Sequence, residues 1–143
     1  KYDMILTKKG IRIIEMTVRL SGGFDCQYLV PAATGKNVLK AAILTALGKS
    51  FSKDLLEDKK SKCAISCSLW PKLGKIKKIE GIEHIGKIPG YEQFFLRYSV
   101  GDVVKPYIDS TKRFCFIITS GNTEIEAREA ANRIKTFIKV VNE

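Results

Sequence analysis

Two β-rich runs open the chain. Tyr2 to Thr7 is the first and Ile11 to Arg19 the second, with Lys8-Lys9-Gly10 between them. The pattern predicts a hairpin. A three-residue loop ending in glycine is a favoured hairpin connection, because its third position takes a left-handed conformation and forms a bulge. Gly10 meets that need. Leu20-Ser21-Gly22-Gly23-Phe24-Asp25 follows as a loop, and Cys26 to Ala33 reads as a short helix interrupted near Pro31. From Asn37 a stronger helical pattern runs through Val38, Leu39, Ala41, Ala42, Leu44 and Leu47, with Asn37 as N-cap and Gly48 as the stop.

Residues 49–62 are charged and poorly patterned, which predicts a connector. Short strands are expected next, at Cys63 to Leu69, Lys75 to Ile79, Gln93 to Val100 and Arg113 to Thr119, with Pro, Gly and Asp turn signals between them. The last segment is amphipathic. Thr123 and Glu126 form a capping box, and Ala127, Ala130, Ile134, Phe137 or Ile138, and Val141 recur at helical spacing. The expected fold is α+β, a mainly antiparallel sheet with packed helices, without internal repeats. Three stretches are expected: 1–50 with the hairpin, loop and helix, 51–62 as connector, and 63–143 as a carboxyl-terminal subdomain.

A chain of 143 residues that is 45% hydrophobic can bury one core. It opens on Lys1-Tyr2-Asp3 with a strand starting at once, so we expect a larger protein trimmed at this point. No apolar run approaches the roughly 18–20 residues of a membrane span and nothing has a signal-peptide layout, so a cytoplasmic protein is expected. The 25 basic against 15 acidic residues give +10, which suits nucleic acid, a membrane surface or a phosphate ligand. The lysines are spread without interleaved aromatics, which argues against a nucleic-acid stacking platform. Cys26, Cys63, Cys67 and Cys115 lack paired metal spacing and read as reduced core residues.

The Lys8-Lys9-Gly10 loop implies that Thr7 opposes Ile11, Ile5 opposes Ile13 and Asp3 opposes Glu15. Two carboxylates then sit face to face, and directly opposed like charges destabilise a strand pair. Alternation places Thr17 and Arg19 on the same face as Glu15. Two readings of that face stand. In one, a hard divalent cation such as magnesium neutralises the acids, with substrate phosphates completing its shell. In the other, Asp3 and Glu15 lie on a solvent face, screened by water and compensated by Arg19 or a lysine.

Glu15-Met16-Thr17-Val18-Arg19, preceded by an acid on the partner strand, resembles the E-x-N-x-R segment of ATP-grasp ligases. The Arg19 to Gly35 stretch, the helix ending at Gly48, and later Gly74-Lys75-Ile76, Ile79-Glu80-Gly81-Ile82, Pro89-Gly90 and Gly101-Asp102-x-Val104 are similar to the carboxyl-terminal region of carboxylate-ligase members. The resemblance implies that Asp3 and Glu15 hold Mg2+ (or Mn2+) against ATP, and that Arg19 stabilises the reacting carboxylate or acyl phosphate. Thr17 departs from the pattern, standing where the family has Asn, which puts the second metal site in doubt. Ser21, Gly22 and Gly23 are implied substrate contacts, glycines letting the backbone approach closely. Ile5 packs on the adenine or is plain core.

The function so implied is that of a fragment of an ATP- and magnesium-dependent ligase. Such an enzyme phosphorylates a carboxylate, and an amine or another nucleophile attacks the acyl phosphate. The expected partners are ATP, small-molecule carboxylate and nucleophile substrates, the preceding part of the same chain and a possible homodimer. The segment alone is expected to be inactive, since it has no glycine-rich phosphate loop. A non-catalytic binding module of the same fold is the alternative, and Thr17 is its support. His84 reads as a surface or turn residue, and Met16 and Trp70 as packing.

Overall fold

The expected hairpin forms in the computed structural model, which describes residues 1–143: β1 spans Tyr2–Thr7 and β2 spans Gly10–Met16. Its connection is tighter than expected. Lys8 and Lys9 make a two-residue turn, and Gly10, at φ 97°, pairs with Thr7. The Thr7 hydroxyl donates to the Gly10 carbonyl at 2.8 Å and accepts from the Lys9 amide at 3.1 Å, which closes the turn early. Ile5 therefore faces Arg12, not Ile13, and Thr7 faces Gly10, not Ile11. The extra residue is taken up at Ile14 instead: Met4 faces Ile13 while Asp3 faces Glu15. One inserted residue, in the loop or in the strand, gives the same pairing beyond it.

Apolar side chains on this hairpin stay exposed, from 52% at Ile5 to 81% at Leu6, so Ile5 is not core. Beyond the loop, a π-helical turn (Asp25–Leu29) runs directly into α1 (Val30–Thr34). Pro31 sits in the first turn of α1, where a missing N–H costs no helical bond, so it begins the helix rather than interrupting one. α2 (Val38–Ala46) is capped as expected. Asn37 Oδ1 accepts from the Lys40 amide at 2.9 Å, and Gly48 follows at φ 65°. The connector holds one 3₁₀ turn, Lys53–Leu55.

The second half builds two three-stranded antiparallel sheets. One has the order β3 (Cys63–Cys67), β7 (Cys115–Gly121), β5 (Tyr91–Leu96). The other has β6 (Val103–Val104), β4 (Gly74–Glu80), β8 (Lys139–Asn142). α3 (Glu124–Phe137) packs on β7 and β3. Its capping box is made. Thr123 Oγ1 accepts from the Glu126 amide at 3.2 Å, and Glu126 reaches back to the Asn122 amide at 2.7 Å. The helix stops at Phe137, so Val141 lies on β8 and not on α3. Two causes act together: Val140 and Val141 are β-branched, and Gly81 lies so close to the Phe137 carbonyl that no Cβ would fit.

The core gathers between these sheets and α3. Ile76, Ile85, Ile88, Phe114, Ile117 and Ile134 belong to one buried cluster, and each fully buried side chain of this size contributes about 1.5–3 kcal/mol. β7 is its centre, and Thr119 Oγ1 donates to the Ala127 carbonyl at 2.7 Å, joining strand to helix without an unmet donor. All four cysteines are free thiols, Cys26 and Cys115 buried and the others half-buried. Burial pushes the Cys115 thiol above its ordinary value, against the Leu69 amide and Ser68 hydroxyl beside it. Met16 and Trp70 are exposed, contrary to the packing expected, although Trp70 meets the Tyr107 ring edge-on at 4.5 Å. His84 is a surface residue beside Glu83, 3.2 Å away. No helix is long and apolar enough to cross a membrane.

Candidate functional site

Asp3 and Glu15 are register partners across the hairpin, and the pairing continues one step further, where Lys1 and Thr17 exchange backbone bonds of 3.0 Å. Strand alternation therefore puts Lys1, Asp3, Glu15 and Thr17 on one face. The cation that pairs with Asp3 is Lys1, whose Nζ lies 2.8 Å from Asp3 Oδ2. Arg19 does not take that part. It lies past the end of β2, exposed, with Nη1 donating to the Leu20 carbonyl at 3.2 Å. Thr17 Oγ1 is shut off from solvent and has no hydrogen-bond partner. A buried, unmet hydroxyl costs about 1–3 kcal/mol, so the position favours an added donor or ligand.

Ser21, Gly22 and Gly23 lead from the hairpin into an aromatic knot. Phe24 takes the left-handed conformation at φ 67°, a strain that packing offsets. Its ring stacks on Phe95 and meets Phe116 edge-on at 5.0 Å, while Tyr28 lies 5.1 Å from Phe95. These contacts tie the loop to β5 and β7. A cleft of about 450 Å³ lies there, its floor formed by Gly22, Gly23, Phe24, Phe95 and Phe116. Arg97 also lines the cleft, and Arg113 stands against its Phe116 wall, with the guanidinium carbon 4.7 Å from that ring's centroid. Burial holds the neighbouring Asp25 carboxyl above its ordinary value, and the charges of Arg113 and then Lys1 pull against that shift.

The sequence reading leaves the compensating cation as Arg19 or a lysine, which the structure resolves as Lys1, and it misses Asp25, Phe24 and Arg113. Lys1 was two residues from Asp3 on the same face, a visible signal. Arg113 lies far along the chain from the loop, and no spacing rule joins the two.

No group of three or more His, Cys, Asp or Glu side chains comes together in the fold. A divalent ion at the hairpin would rest on two carboxylates and one hydroxyl from this chain. Those donors are hard oxygens, the type that magnesium accepts while it keeps waters and substrate phosphates as its other ligands.

Residues 69–143 match the family model described as L-amino acid ligase C-terminal domain 2. The chain belongs to that family. The match agrees with the carboxylate-ligase resemblance read from Gly74-Lys75-Ile76 onward. Solved structures share the fold of this chain. Phosphoribosylglycinamide synthetase from Anaerococcus prevotii matches at TM-score 0.83 and 20% identity, over 99% of this chain and 36% of that one. L-amino acid ligase from Bacillus licheniformis matches at TM-score 0.78 and 20% identity, over 99% of this chain and 37% of that one. N5-carboxyaminoimidazole ribonucleotide synthetase from Thermotoga maritima matches at 0.62 and 20%, over 99% and 36%. The chain thus spans little more than a third of the length of each of these proteins. No curated protein sequence matches it.

Proposed function

We propose that the segment serves an ATP- and magnesium-dependent ligase that joins an L-amino acid, through its carboxylate, to an amine. The observation that carries the reading is the face-to-face placement of Asp3 and Glu15 beside the buried, unpartnered Thr17 hydroxyl. Asp3, Glu15 and Thr17 would hold the ion. Bound there, magnesium would supply positive charge to offset what builds on the transferring phosphoryl group. Lys1 would orient the Asp3 carboxylate, and Arg19 would turn from its own loop carbonyl to the carboxylate or the acyl phosphate. Ser21, Gly22 and Gly23 would bring backbone N–H groups near the same substrate. Ile5, half exposed, would pack on the adenine ring.

In this reading residues 1–50 finish the nucleotide-binding domain, 51–62 connect, and 63–143 form the carboxyl-terminal subdomain. The remainder of a cytoplasmic enzyme would supply the phosphate loop, so the segment alone would not turn over. The exposed apolar hairpin fits that arrangement, since a two-stranded hairpin is only marginally stable unless something covers it. The L-amino acid as substrate class rests on the family description and on the Bacillus licheniformis relative.

Titration of the full-length protein with ATP and magnesium, while ADP release is followed, tests the proposal. Glu15→Ala should abolish magnesium-dependent release. A second reading, a non-catalytic module, is favoured by Thr17 in the place of Asn and by the Lys1–Asp3 ion pair, which already neutralises one acid. Full-length protein that releases no ADP at any magnesium concentration would establish that second reading.

A further inference from the structure

We propose that Arg113 is a second anion-holding residue of the site, reaching from the carboxyl-terminal sheet to the substrate carboxylate or its acyl phosphate. The inference rests on the ligase reading above. Arg113 stands at the entry to β7, with its guanidinium carbon 4.7 Å over the Phe116 ring. Phe116 in turn lies against the glycine loop, 3.6 Å from where a Cβ on Gly23 would sit. The guanidinium is therefore held on a wall that the substrate loop also touches.

What it holds there is not explained by the chain itself. Arg113 takes part in none of the five ion pairs, and its Nε is shut off from solvent with no hydrogen-bond partner. Asp25 is within electrostatic reach but not in contact. Its terminal nitrogens form no ion pair or hydrogen bond within the chain, and on this half-buried residue they are the donors an arriving oxyanion would engage. A planar guanidinium stacked on an aromatic face is fixed in orientation and presents its fork to carboxylate or phosphate oxygens in pairs, which a lysine cannot reproduce. Arg19 differs in kind. It is exposed and bonded to its own loop, so it is free to move, whereas Arg113 is preset.

The test uses the full-length ligase and, as carboxylate, whichever standard L-amino acid best supports ADP release. Arg113→Gln should raise the KM for that amino acid about tenfold or more and leave the KM for ATP within about twofold. Arg113→Lys should recover only part of the loss, because charge returns without the fork. An unchanged amino-acid KM in Arg113→Gln overturns the inference, and so does an equal rise in both KM values with a lowered melting temperature. Should Arg113→Gln fail to fold, Arg113→Lys decides: its amino-acid KM must rise several-fold, and no change overturns the inference. Glu15→Ala separates the two ideas. If it abolishes ADP release while Arg113 variants are normal, only the role of Arg113 fails; if no L-amino acid supports release, the ligase reading fails and this one with it.

Discussion

The rings of Phe24 and Phe95 stack with centroids 4.0 Å apart and 15° between their planes, joining the loop after the hairpin to β5. Phe24 keeps a left-handed backbone, so this contact offsets strain as well as burying area. Phe95→Ala should lower the stability of the protein by about 2–3 kcal/mol, less than a fully buried phenylalanine loses, because Phe95 is half-buried. Urea denaturation measures that. If the proposed ligase role holds, release of the loop should also raise the amino-acid KM, since Gly22 and Gly23 would lose their fixed distance from Phe116. Unchanged stability would mean that the stack holds nothing in place.

Gly81 is the narrowest point of the fold. Its φ is 86°, and a Cβ there would collide with the carbonyl of Phe137, a backbone atom that cannot swing aside. Gly81→Ala should cost at least about 2 kcal/mol and should loosen β8 from β4, because the last turn of α3 must move. Hydrogen exchange of the Val140 and Lys139 amides reads the second effect. Protection equal to that of the parent would contradict the argument.

The Asp25 carboxyl titrates above its ordinary value of 3.8 in the folded chain, burial being the larger cause and Arg113 the first to oppose it. The sign follows from linkage. The folded protein takes up the proton more readily than the unfolded one, so the charged form weakens the fold once the pH exceeds the folded value. That cost fades as the pH falls through the window just above 3.8. Asp25→Asn should therefore be the more stable protein at neutral pH and should lose its advantage in acid. Arg113→Gln should move the Asp25 titration to higher pH, followed by carbon NMR of the carboxyl. Movement to lower pH would show that Arg113 does not face Asp25.

Local rules carried the reading of the chain where local physics decides. Asn37 and Thr123 cap their helices through bonds within three residues, and both were readable from residue type and spacing. The pairing of Asp3 with Glu15 was also readable, although for a different bulge from the one that forms. Long-range packing was not. The end of α3 at Phe137 depends on Gly81, and the surroundings of the Ser21-Gly22-Gly23 loop depend on Phe95, Phe116 and Arg113. Helical periodicity continued through Val141 because it cannot detect a partner strand waiting at β4. Trp70 and Met16 were assigned to packing from composition, yet both lie exposed, since hydrophobic character does not specify which surface a residue meets.

Thr17 offers the sharpest test of the metal reading, because its hydroxyl is buried with no hydrogen-bond partner from the chain. If that hydroxyl serves no ligand, Thr17→Val, nearly equal in volume, removes an unmet polar atom and should stabilise the protein by up to about 1–2 kcal/mol at no functional loss. The ligase reading expects a trade instead. Thr17→Val should gain stability while its magnesium requirement for ADP release rises several-fold, and Thr17→Asn, with a longer carbonyl-bearing arm, should lower that requirement below that of the parent. Magnesium titrations of all three proteins at saturating ATP would decide. Identical magnesium dependence across the set would remove Thr17 from the ion's shell and leave Asp3 and Glu15 as its only ligands from this chain.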